Sequence, residues 1–393
     1  MRMNICSACL RLVLMLSFSV NLSAQQAERL TLLFVGDLMQ HKGQIDAART
    51  SSGYDYTECF ARVRESISQA DLAVGNLEVP LGGKPYTGYP CFSAPDAFLP
   101  ALRDAGFDLL LTANNHCLDR GGRGLARTID LLDSIGMPHT GTFLSAEERE
   151  QRYPLLICKK GFRIAFLNYT YGTNGITVQP PYVVNYIDRE VMAEDIRLAR
   201  SMNPDALFVC IHWGTEYQSL PNREQRELAD WMLAQGVTHI IGTHPHVVQP
   251  MELRTDERGR HIVAYSLGNF ISNMSAPHTD GGAMLHVELA KIPSPPRFSP
   301  FGPTADRSTS LSADSTAGIT QLKTLCYPHC CAYELVWTAR PQVAPGSNYE
   351  LQLVRNPSPS LPASARQLLE RYAANERPLF HRHNIDIEER KAE

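Results

Sequence analysis

The chain lacks an excess of charge of either sign. Its 393 residues carry 37 Lys and Arg against 41 Asp and Glu, a formal net charge of −4. That balance gives no general electrostatic case for a nucleic-acid partner. No internal repeat of fixed period is visible, which argues against a solenoid or propeller. Beyond the first two dozen residues no apolar run is long enough to span a bilayer. Cysteines are present but without the spacing of a zinc module. Cys326, Cys330 and Cys331 beside His329 form a poor metal set, and Cys326 with Cys330 or Cys331 could close a local loop instead. Cys158 and Cys210 sit in apolar strand-like runs and read as small core residues.

What is present first is an N-terminal leader pattern. Arg2 and Arg11 flank the start of an apolar stretch from Leu10 to Val20, and Asn21-Leu22-Ser23-Ala24 supplies a small-residue end. Residues 1–24 read as a signal peptide cleaved after Ala24, with an uncleaved anchor as the alternative. The expectation is an exported protein, periplasmic or at the cell surface, in a compartment where disulfides can form.

Strand-like and helix-like segments then alternate. Leu30–Val35, Asp71–Val74, Phe107–Thr112, Ala206–Ile211, Val237–Ile241 and Ile262–Leu267 read as buried strands. Phe60–Gln69, Pro95–Ala105, Gly124–Ile135, Arg189–Ser201 and Arg223–Gln235 read as helices, three of them closed by Gly106, Gly136 and Gly236. Leu155–Cys158 and Arg163–Asn168 read as a hairpin. This alternation predicts an α/β fold over residues 28–290. A Pro-, Ser- and Thr-rich stretch at 291–318 reads as a flexible loop or linker. Residues 319–375 are expected to add strands at Ile319–Leu325, Ala332–Thr338 and Tyr349–Val354 and a helix at Leu361–Tyr372, completing the same domain. Residues 376–393 read as a charged, frayed tail.

Five polar clusters each follow a predicted strand: Gly36-Asp37, Gly75-Asn76-Leu77-Glu78, Asn114-Asn115-His116, His212-Trp213-Gly214 and Gly242-Thr243-His244-Pro245-His246. The carboxyl ends of parallel strands share one edge, so a parallel sheet would gather them. Carboxylates, an amide oxygen and imidazoles suit a hard-to-borderline divalent ion. Glu78 could bridge two ions. His116, beside Asn115, stands where a general acid could protonate a leaving group. Taken singly, each has a plainer reading: Asp37 as a helix cap, Asn114-Asn115 as a turn, His212 as a packing histidine.

These motifs, with Val35-Gly36-Asp37-Leu38-Met39, Asn114-Asn115-His116-Cys117-Leu118-Asp119-Arg120-Gly121, His212-Trp213-Gly214-Thr215-Glu216-Tyr217 and Tyr265-Ser266-Leu267-Gly268-Asn269-Phe270, resemble the bacterial capsule-synthesis family CapA, linked to poly-γ-glutamate biosynthesis. The resemblance runs from about Leu32 to Phe270. That family is similar to calcineurin-like metallophosphoesterases. The resemblance implies a four-layer α/β/β/α sandwich with a C-terminal β-rich extension, and one or two divalent ions (Mn, Zn or Fe) held by Asp37, Glu78, Asn115, His212, His244 and His246. It implies His116 as the catalytic acid, and Glu216, Asp119, Asn269 and Arg120 as substrate-binding, with the first three alternatively supporting the residues around the metal. Met39 stands where the first motif's histidine is expected, and Glu78 replaces an aspartate, which weakens one metal site.

Two functions follow from the resemblance. One is a metal-dependent hydrolase or transferase of the envelope, acting on an anionic polymer such as poly-γ-glutamate or its precursor. The other is a non-catalytic accessory protein that binds such a polymer during assembly or export. Membrane-bound polymer-synthesis proteins are the expected partners in either case, and nucleic acid is not.

Overall fold

The computed structural model describes residues 28–292, 325–342 and 348–391. The expected leader at 1–24, nearly all of the 291–318 linker and the strand at Ile319–Leu325, apart from its last residue, lie outside the described residues.

In chain order the strands are β1 (Glu28–Leu38), β2 (Leu72–Leu77), β3 (Leu109–Leu111), β4 (His139–Thr140), β5 (Thr142–Phe143), β6 (Leu155–Lys159), β7 (Phe162–Thr170), β8 (Val183–Val184) and β9 (Ala206–His212). They continue with β10 (His239–Thr243), β11 (Met251–Asp256), β12 (Gly259–Ala264), β13 (Asn269–Ile271), β14 (Gly281–Ile292), β15 (Leu325–Ala339), β16 (Glu350–Leu353) and β17 (Glu388–Glu389). One sheet runs β16-β15-β14-β1-β2-β3-β4, with β13 parallel to β1 and β17 on β15. The other runs β11-β12-β10-β9-β7-β6. A short pair, β5-β8, stands apart. The near-continuous apolar runs of β1, β2, β9 and β10 are explained by this arrangement, because each strand is buried on both faces.

The two sheets pack face to face. Leu32, Phe34 and Val74 of the first meet Phe166, Phe208 and Ile262 of the second, with Phe34 and Phe208 ring centroids 5.0 Å apart. Helices cover both outer faces. Phe98–Ala105 buries Phe98, Leu99 and Leu102 against the far side of the first sheet. Arg189–Ser201 and Arg223–Ala234 bury Met192, Ile196, Leu228 and Met232 against the far side of the second. Their starts are written in the sequence. Asp188 accepts from the amides of Glu190 and Val191, and Asn222 makes a reciprocal cap with Gln225. The result is the four-layer α/β/β/α sandwich.

Gly36 owes its place to close approach rather than to a tight turn. A Cβ there would lie 1.8 Å from the Gly268 carbonyl oxygen, which accepts the Asp37 amide at 3.0 Å. This contact seats β13 beside β1 and fixes the height of Asp37 at the sheet edge.

The structure departs from the sequence expectations in three places. Phe60–Gln69 is not one helix but a 3₁₀ turn (Thr57–Phe60) and a short helix (Arg64–Ser68), a break that lets Phe60, Val63 and Ile67 all enter one apolar cluster. Cys158 is exposed, because β6 is the edge strand of its sheet. The terminal helix runs from Ala363 to His383, well past Tyr372, and the described chain beyond it, to residue 391, packs back on the fold. Phe380 meets the Tyr333 ring at 4.5 Å, Arg377 pairs with Glu389 at 2.7 Å, and β17 joins β15. This helix shares the inter-sheet core with Trp337 and Leu253, and Ile385 accepts the Leu253 amide at the edge of the second sheet. No helix among the described residues is long and apolar enough to cross a membrane.

Glu334 of β15 ties this C-terminal segment to the core. Its buried carboxylate lies 3.2 Å from His286 on β14, 3.0 Å from Arg355 and 3.3 Å from Arg390. Burial would raise its pKa, but His286 and Arg355 outweigh that and bring it down from 4.5 to about 2. A depressed carboxylate contributes stability above its unfolded pKa and loses it as pH falls through the folded value. The wild type should therefore lose about 3 kcal/mol between roughly pH 4.5 and 2 from this group. Denaturant titrations across that window should show the loss in wild type and its absence in Glu334→Gln. Equal pH slopes for the two proteins would refute it.

Candidate metal centre

The parallel strands of both sheets end at one edge, and the polar clusters meet there. Asp37 ends β1, Asn76 lies in β2 with Glu78 just beyond it, and Asn114, Asn115 and His116 follow β3. His212 ends β9, and His244 and His246 follow β10. All are buried. Charged and polar groups withdrawn this far from water need partners.

Some have protein partners. Asp37 Oδ1 accepts from Asn76 Nδ2 at 2.7 Å. His212 Nδ1 lies 2.9 Å from Thr243 Oγ1, and its Nε2 lies 2.8 Å from Asn115 Oδ1 and 3.6 Å from Glu78 Oε1. His246 Nδ1 lies 3.0 Å from Asn269 Oδ1 and 3.4 Å from Asp37 Oδ2, leaving Nε2 facing Glu78 Oε1 at 3.8 Å.

Others have none. Asp37 Oδ2, both oxygens of Glu78 and His244 Nδ1 are buried without a hydrogen-bond partner. These orphans coincide with two ligand sets. Glu78, His244 and His246 bring ligand atoms within 4.8 Å of one another, and so do Asp37, Glu78 and His212. Two carboxylates and three imidazoles, with the Asn115 oxygen beside His212, make a donor set that fits a divalent cation. Glu78 belongs to both sets, a bridging position.

The electrostatics agree. Burial and then the Asp37 charge push the Glu78 carboxyl well above its ordinary range. Burial and the neighbouring imidazoles lower His212 well below its usual value and bring His244 to about 3, so both are neutral at physiological pH, as ligation requires. Burial opposes protonation of His246, but the hydrogen bond to Asp37 and its charge raise its pKa. The backbone is strained at the same point. His244 has φ 101° and His246 φ 59°, left-handed conformations that cost non-glycine residues about 1–3 kcal/mol each.

His116 stands at the margin of the centre with its orientation fixed. Its Nδ1 lies 2.8 Å from Asp119 Oδ2, and the Phe92 ring meets its imidazole edge-on at 4.7 Å. Asp119 also accepts the Phe92 amide at 2.8 Å. With Nδ1 committed, Nε2 is the nitrogen left for proton transfer.

Of the four residues expected at the substrate, three also have partners within the protein. Asp119 is buried and committed to His116 and Phe92. Asn269 is buried between His246, the Thr279 carbonyl at 2.9 Å and the Met274 sulfur at 3.4 Å. Arg120 donates to the Pro85 carbonyl at 3.0 Å and to Thr87, tying down a loop. Glu216 alone remains half-exposed, within electrostatic reach of Glu78 and His246. Met39 is buried in the apolar cluster outside the first sheet, so no side chain replaces the missing first-motif histidine at that position.

The sequence reading missed Tyr171, Tyr217 and Thr243. Tyr171 follows β7 directly, its amide donating to the His212 carbonyl at 3.0 Å and its ring centred 4.4 Å from that of His244. Burial and the charges of Glu216 and Glu78 push its phenol up to about 12. Tyr217, at φ 63°, donates its amide to the Pro245 carbonyl at 2.9 Å and sets its ring 6.3 Å from that of His246. Both tyrosines are 46% exposed. The available signal for Tyr171 was its position at a strand end, the same signal that selected His212.

Comparison with known proteins sets the chain beside capsule-synthesis proteins. The family described as bacterial capsule synthesis protein PGA_cap matches residues 31–274. The capsule biosynthesis protein CapA of Bacillus anthracis is 28% identical over 278 residues, covering 67% of this chain and 65% of that one. The PGA biosynthesis protein CapA of Bacillus subtilis (strain 168) is 29% identical over 274 residues, covering 66% of this chain and 67% of that one. The chain thus spans about two thirds of the length of these curated relatives. Among solved structures, the NAD nucleotidase of Haemophilus influenzae aligns with TM-score 0.44 and 11% identity, covering 93% of this chain and 65% of that one.

Proposed function

Because the chain belongs to the bacterial capsule synthesis protein family PGA_cap, we propose that it is an exported envelope protein whose divalent-metal centre hydrolyses or transfers a bond in an anionic capsule polymer, such as poly-γ-glutamate, or in its precursor. The observation that carries this reading is Glu78: a fully buried carboxylate, both oxygens unpartnered, shared by two sets of metal-ligating side chains. Asp37, Glu78, Asn115, His212, His244 and His246 would hold one or two ions of Mn, Zn or Fe. When bound, such an ion polarises the scissile bond and acidifies a bound water.

The chain's own residues supply the rest. His116, aligned by Asp119, offers Nε2 as the proton donor to a leaving group. Tyr171 and Tyr217 flank the histidine loop and, half-exposed, provide flat faces along which an extended chain can lie.

The charge around the centre favours a metal-loaded site over metal-free polymer capture. Asp37, Glu78, Asp119 and Glu216 all act on it. The cations on the motif loops are engaged elsewhere or peripheral: Lys42 pairs with Asp46, Arg120 holds a loop, and Lys84 and Arg123 are solvent-exposed. An anionic polymer would be repelled by these carboxylates unless a metal ion neutralised them.

The test is incubation of the mature protein with purified capsule polymer after loading with Mn, Zn or Fe separately, and after chelation. Size-exclusion chromatography reads chain length, and an end-group assay reads bonds broken. Shorter chains and new ends with one metal, absent after chelation, are expected. Polymer binding that ignores chelation and generates no new ends would leave the accessory role as the better account.

A further inference from the structure

A second cavity, of about 430 Å³, opens between the 274–280 loop, the end of β15 and the terminal helix. Its wall lies at or beyond residue 274, where the family match ends. None of its residues belongs to the proposed ligand set.

The lining carries both signs of charge and an unused hydroxyl. Arg371, exposed on the terminal helix, makes no hydrogen bond or ion pair among the described residues. The Arg340 guanidinium donates to the Met274 carbonyl, which fixes it at the cavity wall. Asp280 is half-buried and accepts from Trp337 Nε1 at 3.0 Å. The Thr338 hydroxyl is buried without a partner. Trp337, Leu368 and Tyr372 give the cavity an apolar side. His278 Nδ1 is already engaged by Glu376 at 2.6 Å.

An unpaired guanidinium fork suits a carboxylate, and a neighbouring carboxylate suits an N–H donor. The acid also argues against a highly charged guest such as a phosphate dianion. The volume lies within the range of small-molecule sites. We infer that this cavity binds a free amino acid or a peptide chain end, with its carboxylate on Arg371, its ammonium group on Asp280 and a further hydrogen bond to Thr338. The site adjoins the candidate metal centre through one residue. Asn269 holds His246 on one side and donates to Met274 and Thr279, in the cavity loop, on the other. The inference stands on its own geometry and does not need the centre to be catalytic.

The test is isothermal titration of the full mature chain with glutamate and with alanylalanine, in chelator, alongside Trp fluorescence. Both probes should bind and perturb the emission. Arg371→Ala and Asp280→Asn should each weaken binding by about tenfold or more, the loss expected for a charge-assisted hydrogen bond. Trp337→Phe should lose the fluorescence change. Arg371 is exposed and unpartnered, so its variant should melt like wild type and decides the matter even if Asp280→Asn folds poorly. The inference is overturned if neither probe binds, if Arg371→Ala binds as wild type, or if inorganic phosphate binds as tightly and displaces the dipeptide, which would make this a plain anion site.

Discussion

Glu78→Gln should strip the protein of metal and, in the same stroke, make the metal-free form more stable than metal-free wild type. The two effects have one cause. Glu78 belongs to both sets of ligating side chains, so its loss removes a donor from each. In the absence of a cation its carboxylate is buried, unpartnered and close to Asp37, whose charge adds to the burial that drives its pKa up. Glutamine keeps the shape and removes the charge. Relief of a buried, uncompensated carboxylate should be worth about 1–3 kcal/mol. Metal acts in the opposite sense on wild type. A cation that binds only the folded state stabilises it by about 2.7 kcal/mol at a hundred times its dissociation constant. The order of melting temperatures should therefore invert: the variant above wild type in chelator, wild type above the variant in saturating metal. Calorimetry with and without chelator, paired with elemental analysis, reads both. Retention of wild-type metal stoichiometry by Glu78→Gln, or indifference of the wild-type melting temperature to chelator, would refute the assignment. His244→Ala supplies the count. It disables only the set with His246, so a half-loss of metal indicates two ions and a complete loss indicates one.

The reach of the sequence reading follows from what each signal encodes. Buried strands and capped helices are local, so their order was legible, and with it the edge where the clusters meet. The direction in which a polar side chain points at that edge is not local. Asp119 and Arg120 share the His116 motif, and the family resemblance implied substrate contact for both. In the fold one turns back on His116 and the other reaches a loop more than thirty residues away. Asn269 was selected as part of a motif, yet it is a brace between His246 and the 274–279 loop. The tail beyond Glu376 looked frayed because its composition is charged. Its order comes from Arg377 meeting Glu389 and from Phe380 meeting Tyr333, pairings that no window of local sequence contains. Cys158 failed for the same reason in reverse: an apolar run says strand, but only the sheet order says edge.

His116→Ala should lower metal-dependent turnover by about 10²–10⁴-fold, the range for loss of a positioned general acid, while leaving metal content unchanged. The separation of these two readouts is what the geometry predicts. His116 appears in neither ligand set, and its Nδ1 is occupied by Asp119 rather than turned toward the centre. Asp119→Asn should fall between wild type and His116→Ala. Both the Phe92 amide and the imidazole meet the same carboxylate oxygen, Oδ2, so an asparagine with its oxygen there keeps both bonds but replaces a charged acceptor with a weaker neutral one. The imidazole would remain but be held less firmly in its tautomer and orientation. Added imidazole separates chemistry from packing: it should restore part of the turnover of His116→Ala, where a cavity is open to it beside Phe92, and do nothing for Asp119→Asn. Turnover that is unaffected in His116→Ala would remove this residue from the reaction. A loss of metal in parallel with turnover would move it into the ligand set instead.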